Sequence, residues 1–180
     1  MKKIIKEKIE QLKAGQLSDE DFLEFVEHFP YKDMGNIKLD FHRGIRRGLP
    51  EVVYGSGKTV DQLEKIIKKT LEIDTNIIIT RIDPEKYKKL RKIHPKLIYH
   101  EKARVVTLDK KPQQKFKHRI LIISAGSSDE EVAEEAYVSA LYLGNPVDKE
   151  YDMGIACLSR ILDLKDRLKD YCVIIVVAGM

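Results

Sequence analysis

Gly126, Ser127, Ser128 and Asp129 stand between an apolar run, Arg119 to Ser124, and an acidic segment that opens near Asp129. The run reads as a buried strand and the segment as a helix, so these residues form a strand-to-helix turn. The first N–H groups of a helix lack partners and carry the positive end of its dipole, which makes phosphate a natural occupant. Gly126 lets the backbone approach a ligand closely, and each serine offers a hydroxyl. The chemistry implied is the binding of a phosphorylated small molecule. The same spacing fits, equally well, a helix capped by Ser127 or Ser128 with no ligand at all.

Other groups point less sharply. Gly55-Ser56-Gly57-Lys58-Thr59, between an expected strand and helix, invites comparison with a P-loop. That motif needs a glycine five positions before Gly57, where Val52 stands inside the strand, so too few N–H groups remain to wrap a triphosphate. Lys58 at a helix start still suits a phosphate or carboxylate. Arg43, Arg46 and Arg47, beside Gly48 and Pro50, suit bidentate contact with such an anion, and equally suit ion pairs with Asp40, Glu51 or the acidic second half. Asp129 either complements the helix dipole or orients a ligand hydroxyl or a catalytic group. Glu134 and Glu135 share the helix, one of them placed to pair with the basic half. His42, His94, His100 and His118 show no metal-ligand spacing and read as surface or structural residues. Two cysteines, Cys157 and Cys172, give neither a disulfide framework nor a metal site and fit a reducing cytoplasm.

The elements that must position these groups fall into two sets. Ile4, Ile5, Ile9 and Leu12 predict a helix over 2–14 closed at Gly15. Ser18 and Asp21 form a capping box for a second helix ending at Pro30. The extended pieces NIKLDF and EVVYG follow. Thr59 and Gln62 cap a helix with the stripe Val60, Leu63, Ile66, Ile67 and Leu71. NIIITRI reads as a strand, Asp83 and Pro84 open a helix over 84–93, and KLIYH and ARVVTL are strands. Residues 1–108 thus form an N-terminal α+β domain. The polar segment DKKPQQKFKH, 109–118, reads as a linker. Beyond it the order is strand, helix, connection, helix, strand. RILIIS and CVIIVVAGM are continuous apolar runs, as expected of parallel strands covered on both faces. Residues 119–180 therefore predict part of a three-layer parallel α/β domain.

Charge divides along the same boundary. Arg119 to Met180 holds 6 Lys or Arg against 11 Asp or Glu, a balance of −5, whereas the first 118 residues hold 27 against 18, a balance of +9. The basic half could attract nucleic acid, but its charges are scattered on helix faces without interleaved aromatics or a groove-reading motif. It could instead supply cations to an anionic ligand or to the acidic half. No run approaches the ~20 apolar residues of a membrane helix, and no signal peptide is legible.

Four segments in order, LDFHRGIRRGLPEVVYGSGKT, IIITRID, ILIISAGSSDEEVAEEA and YDMGIACLSR with VIIVVAGM, resemble the LarB family, whose second domain is AIR carboxylase-like, of flavodoxin/Rossmann type. The resemblance covers nearly the whole chain. A purine-pathway AIR carboxylase would share the second half alone, and RRGLPEVVYGSGKT separates the two. The resemblance implies a carboxylase/hydrolase of nickel-pincer cofactor biosynthesis. Its substrate is nicotinic acid adenine dinucleotide and its co-substrate CO₂ or bicarbonate; no cofactor is bound covalently, and Mg²⁺ is compatible with the chemistry. The products are pyridinium-3,5-biscarboxylic acid mononucleotide and AMP. The electrophilic ring takes up a thiolate, the enamine-like carbon attacks CO₂, and loss of a proton and then of the thiolate restores aromaticity.

By the same resemblance, Gly126, Ser127, Ser128, Asp129, Gly154, Arg160, Arg43 and Lys58 are the substrate- and phosphate-binding residues, and a cytoplasmic homo-oligomer assembles through the second domain. In the family an acidic residue follows A-G-M directly and the nucleophilic cysteine lies further on. This sequence stops at Met180, so both catalytic groups are expected beyond it, the second domain is expected to be incomplete, and the chain alone to be inactive. Cys172, opening an apolar strand, reads as a buried small side chain. Cys157 stands where the family has glycine and Ser159 where it has histidine, which sets the second ligand loop apart from the family. An AIR carboxylase-like enzyme of purine biosynthesis and a non-catalytic nucleotide-phosphate-binding remnant are the alternative readings.

Overall fold

The computed structural model describes residues 2–28, 31–33, 38–40, 51–72, 76–108 and 112–179, with the backbone alone at 2–3, 27–28, 31–33, 38–40 and 157. The Arg43, Arg46 and Arg47 cluster and His42 lie outside the described residues. Helix α1 (Lys2–Lys13) stops at Gly15, and α2 (Asp19–His28) starts where the Asp21 N–H donates to Ser18 Oγ at 3.0 Å. An antiparallel ribbon of β1 (Tyr31–Asp33) and β2 (Lys38–Asp40) follows.

The first sheet contains β3 (Val52–Tyr54), β4 (Ile78–Thr80), β5 (Leu97–His100) and β6 (Val105–Leu108), in the order β3-β4-β6-β5. Only β3 and β4 run parallel, joined through α3 (Val60–Glu72). The start of α3 is fixed from both sides: Thr59 N–H donates to Gln62 Oε1 at 2.9 Å and Gln62 N–H to Thr59 Oγ1 at 3.2 Å. Its spacing turns Leu63, Ile66 and Ile67 inward, where they are fully buried against Val53, Ile79 and Val106 and Leu90 of α4 (Pro84–Ile93). Burial of each such side chain contributes about 1.5–3 kcal/mol. The expected stripe fails at its end. Leu71 is 40% exposed, and Thr70 is buried in its stead. Thr70 can turn inward because its hydroxyl donates to Ile66 O, one turn back, at 2.8 Å. Helix α4 opens as expected, with Asp83 Oδ1 accepting from Lys86 N–H at 2.8 Å.

Two histidines of this unit give the protein an acid-sensitive stability. Burial pushes the His100 ring below its ordinary pKa, against a weaker upward pull from Glu134, and burial lowers His94 in the same sense. His100 Nε2 also lies 2.9 Å from Thr107 Oγ1. Both rings are favoured neutral when folded, so the unfolded chain takes up protons more readily. Their stabilising contribution is complete above the unfolded value of about 6.5 and is lost as pH falls through the lower folded values. The urea midpoint should therefore drop between pH 7.5 and pH 5, and His100→Asn should shrink the drop. A midpoint flat across that range in the parent protein would rule the effect out.

The second sheet is parallel throughout: β7 (Arg119–Ser124) at the centre, β8 (Val147–Glu150) on one side and β9 (Tyr171–Val177) on the other. Helix α5 (Glu130–Tyr142) connects β7 to β8, and α6 (Leu158–Leu164) with a 3₁₀ stretch (Lys165–Asp170) connects β8 to β9. The sequence pattern does not reveal β8, which lies inside the expected connection. The chain is a mixed α/β protein with helices and parallel and mixed sheets, in agreement with the fold class read from the sequence.

Two expectations for β9 are overturned. The strand is not covered on both faces: Val173, Ile174 and Val176 are 45%, 41% and 64% exposed. It forms one margin of the three-stranded order, and α5 packs chiefly on β7 and β8. Cys172 is accordingly exposed rather than buried, with its thiol 3.3 Å from the Arg119 carbonyl. Residues 112–118 have no regular structure, though Lys115 and Phe116 N–H both donate to Gly144 O. The two sheets meet at α5, where Val138 and Tyr142 are buried with Ile78, Ala103 and Val105. Among the described residues no helix is long and apolar enough to cross a membrane.

Candidate functional site

The carboxyl ends of β7 and β9 and the loop after β8 converge on the turn that follows β7. Ser124, the last residue of that strand, is fully buried and fixes the neighbouring loop twice: its carbonyl accepts from Met153 N–H at 2.9 Å and its Oγ from Asp152 N–H at 3.3 Å. Ala125 N–H donates to Val177 O at 2.9 Å, which brings the end of β9 alongside. Gly154 lies so close that a Cβ there would stand 2.6 Å from the Ala125 carbonyl oxygen. Ser124 and Ala125 are thus structural parts of the site that the sequence does not single out. The only signal for Ser124 was a polar residue closing an apolar strand.

The turn itself settles the capping question against both serines. Gly126 caps a 3₁₀ turn, Ser127–Asp129, which runs into α5 with Asp129 at the helix N-cap, so neither serine stands at a cap position. Asp129 has the ordering role instead: its Oδ2 accepts from Gly126 N–H at 3.0 Å, closing the turn upon itself. The Ser127 and Ser128 side chains are exposed. They and the helix N-terminus are therefore open to a ligand, whose negative charge the dipole would favour. Gly126 has room for a methyl group, with its nearest prospective neighbour 3.6 Å away, so packing within the protein does not require glycine there.

Arg160 joins this end of the sheet through Asp152. Its guanidinium donates to the Asp152 carbonyl at 2.7 Å and pairs with the Asp152 carboxylate. Asp152 itself takes a left-handed backbone conformation, with φ 58°. The adjoining loop is backed by Lys149, whose ammonium pairs with the nearly buried Glu134 and lies 4.4 Å from the centre of the Tyr137 ring and 5.2 Å from that of Tyr151. Burial, with Glu134 beside it, pushes the Tyr151 hydroxyl well above its usual value and keeps it protonated. The backbone of Cys157 lies in the 3₁₀ turn Ile155–Cys157, and Ser159 is exposed on α6.

Of the remaining sequence candidates, Lys58 sits apart. It belongs to the turn after β3, where its N–H donates to Gly55 O at 3.2 Å. Lys86 Nζ donates to the Gly55 and Ser56 carbonyls at 3.3 and 2.9 Å. That loop presents carbonyls to a cation rather than N–H groups to a phosphate, the opposite of a P-loop. No hydrogen bond or ion pair among the described residues joins Lys58 to the turn at 126–129. Arg43 lies outside the described residues. A cavity of about 530 Å³ lies at the amino ends of β7 and β9, but its Arg119, Lys149 and Arg167 face Asp148, Glu150 and Asp170, so it offers an anion no net charge. Among the described residues, no group of three or more His, Cys, Asp or Glu is arranged to hold a metal ion.

A parallel sheet with an open glycine-serine turn at its carboxyl ends, joined to a separate mixed sheet, defines a mixed α/β protein, and the turn lies at the strand ends where open α/β sheets take their ligands. Residues 31–111 match the LarB/PurE-like N-terminal domain family. The chain is also similar to an uncharacterized protein of Methanocaldococcus jannaschii, with 33% identity over 189 aligned residues that take in all of this chain and 74% of the relative. The chain belongs to the LarB/PurE-like family.

Proposed function

We propose that this chain serves a LarB-type carboxylase/hydrolase reaction, in which CO₂, from bicarbonate, adds to the pyridine ring of nicotinic acid adenine dinucleotide with loss of a ring proton, and water cleaves the phosphoanhydride, giving pyridinium-3,5-biscarboxylic acid mononucleotide and AMP. The observation that carries this reading is the turn Gly126–Asp129, with both serine side chains exposed and uncommitted to the helix, in a chain of this family. Ser127, Ser128 and the first N–H groups of the helix would hold the mononucleotide phosphate. Asp129 keeps the turn closed, and Arg160, through Asp152, orders the loop carrying Gly154 on its flank.

Ring carboxylation needs a thiolate and a general base. Cys172 is five residues before the end of β9, roughly 16 Å of strand from the turn, so it is not the nucleophile. Cys157 stands where the family has glycine, so neither cysteine is assigned the nucleophile's role, and binding without turnover is the expected behaviour of these residues. The exposed apolar Val173, Ile174 and Val176, with Leu158 and Leu162 of α6, offer the surface through which a homo-oligomer would form.

Calorimetry with nicotinic acid adenine dinucleotide should show saturable binding, weakened about ten-fold by Ser128→Ala, the usual scale for a lost hydrogen bond to a charged group. With bicarbonate added, AMP release should stay at background. Absence of binding would overturn the phosphate pocket, and substantial AMP release would overturn the expectation of inactivity. The N-terminal segment RRGLPEVVYGSGKT, which a purine-pathway carboxylase would lack, favours this substrate over that enzyme's, while the family matched over residues 31–111 is LarB/PurE-like and fits both. Preferential binding of aminoimidazole ribonucleotide would reverse that preference.

A further inference from the structure

Helix α5 begins with an unusual load of negative charge for a phosphate site. Asp129, Glu130, Glu131, Glu134 and Glu135 all lie within its first two turns. Near a helix N-terminus such residues favour the helix, but they also repel an anion that approaches the same end.

The structure shows what offsets them. Lys102 pairs with Glu130 at 2.7 Å, Arg104 with Glu131 at 3.3 Å, and Arg81 with Glu135. All three cations come from the ends of the first sheet: Arg81 directly follows β4, and Lys102 and Arg104 form the turn between β5 and β6. Ile82 N–H donates to Arg104 O at 2.9 Å, which ties the two segments together. Arg81 and Arg104 both hold left-handed backbone conformations, with φ 56° and 50°, an arrangement disfavoured for side chains of this size.

Stability alone does not account for these pairs. The three cationic side chains are 42%, 72% and 41% exposed, and exposed pairs contribute little to folding. The apolar contact of Ala103 and Val105 with Val138 and Tyr142 already joins the two sheets. What the pairs change is the potential at the turn.

We propose that Arg81, Lys102 and Arg104 set the anion affinity of the Gly126–Asp129 turn by neutralising Glu130, Glu131 and Glu135, so that the first sheet controls binding at the second. They are positioning residues in this role, and the inference rests on the phosphate reading of the turn. A unit charge about 10 Å from the phosphate shifts binding by roughly two-fold in water, so removing three should weaken it by about ten-fold at low salt. Added salt should shrink the effect.

The test is titration with nicotinic acid adenine dinucleotide at low and moderate salt, using the full chain and three variants. Arg81→Gln with Lys102→Gln and Arg104→Gln should bind about ten-fold more weakly. Glu130→Gln with Glu131→Gln and Glu135→Gln should bind as well as the parent or more tightly. All six changes together should return affinity near the parent value. A purely mechanical role for the pairs predicts the reverse for the glutamate variant, because breaking the contacts from either side would loosen the turn equally. Equal weakening by the cation and glutamate sets therefore overturns the proposal, as does unchanged affinity in the cation set. No binding by the parent chain would overturn the phosphate pocket itself and this inference with it, an outcome distinct from the other two.

Discussion

Gly55→Ala should destabilise the protein by about 2–3 kcal/mol, read as a lower denaturant midpoint at unchanged slope. The reason is crowding at the junction of β3 and β4. A Cβ on Gly55 would stand 2.4 Å from Ile82 Cδ1, 2.8 Å from the Thr80 carbonyl oxygen and 2.9 Å from Ile79 Cγ2. The Ile82 methyl could rotate away only into a core where Ile82 is already fully buried. The Thr80 carbonyl cannot retreat freely, because it accepts the Gly55 N–H at 2.8 Å. Removing one of the opposing atoms should relieve part of the strain. Ile82→Val alone should cost about 1 kcal/mol as a lost methyl group, yet in the Gly55→Ala background it should cost less or stabilise. Strict additivity of the two changes in a double-mutant cycle would show that the collision is not the cause.

This glycine marks what the sequence could and could not disclose. The helix starts were legible because a cap is a local device: Ser18 with Asp21, Thr59 with Gln62, and Asp83 with Lys86 each settle a boundary within three residues. The central strand β7 and the turn after it were legible for a similar reason, since an apolar run ending in Gly-Ser-Ser-Asp changes character abruptly. Strand β8 was not. Val147-Asp-Lys-Glu150 has no apolar rhythm and is a strand only because it pairs with Ile120 to Ile123, some 27 residues away. Apolarity also misled at β9, because a run of Val and Ile records an affinity for burial and not whether another element covers it. In the candidate site, the glycine-serine turn was legible as a turn, and Gly154 was named only through the family resemblance. The bonds from Ser124 and Ala125 that hold them together are tertiary, and so were invisible. The charge split was readable as a +9 half facing a −5 half. Which cation meets which glutamate depended on turns after β4 and β5 whose left-handed arginines no propensity would suggest.

Gly154→Ala should reduce nucleotide affinity by about ten-fold or more while leaving most of the protein folded. The backbone at Gly154 has φ −69°, which alanine adopts without penalty, so only space is at issue. The added Cβ would lie 2.6 Å from the Ala125 carbonyl oxygen and 3.4 Å from its carbon. Backbone meets backbone there, so no side chain can swing aside, and one of the two segments must move. Ala125 is tethered through its N–H to Val177 O, and the loop at 152–153 is tethered to Ser124. The displacement is therefore transmitted to Gly126–Asp129, where a shift approaching 1 Å is enough to spoil hydrogen bonds whose useful range spans about 0.5 Å. The stability cost should stay near 1–3 kcal/mol because the change is confined to a surface-facing junction. Gly126→Ala supplies the control. Its prospective Cβ has 3.6 Å of clearance from the protein, so it should leave the melting temperature unchanged and affect affinity only by crowding the ligand. Gly154→Ala binding the nucleotide as tightly as the parent would mean that the loop after β8 has no part in holding the turn.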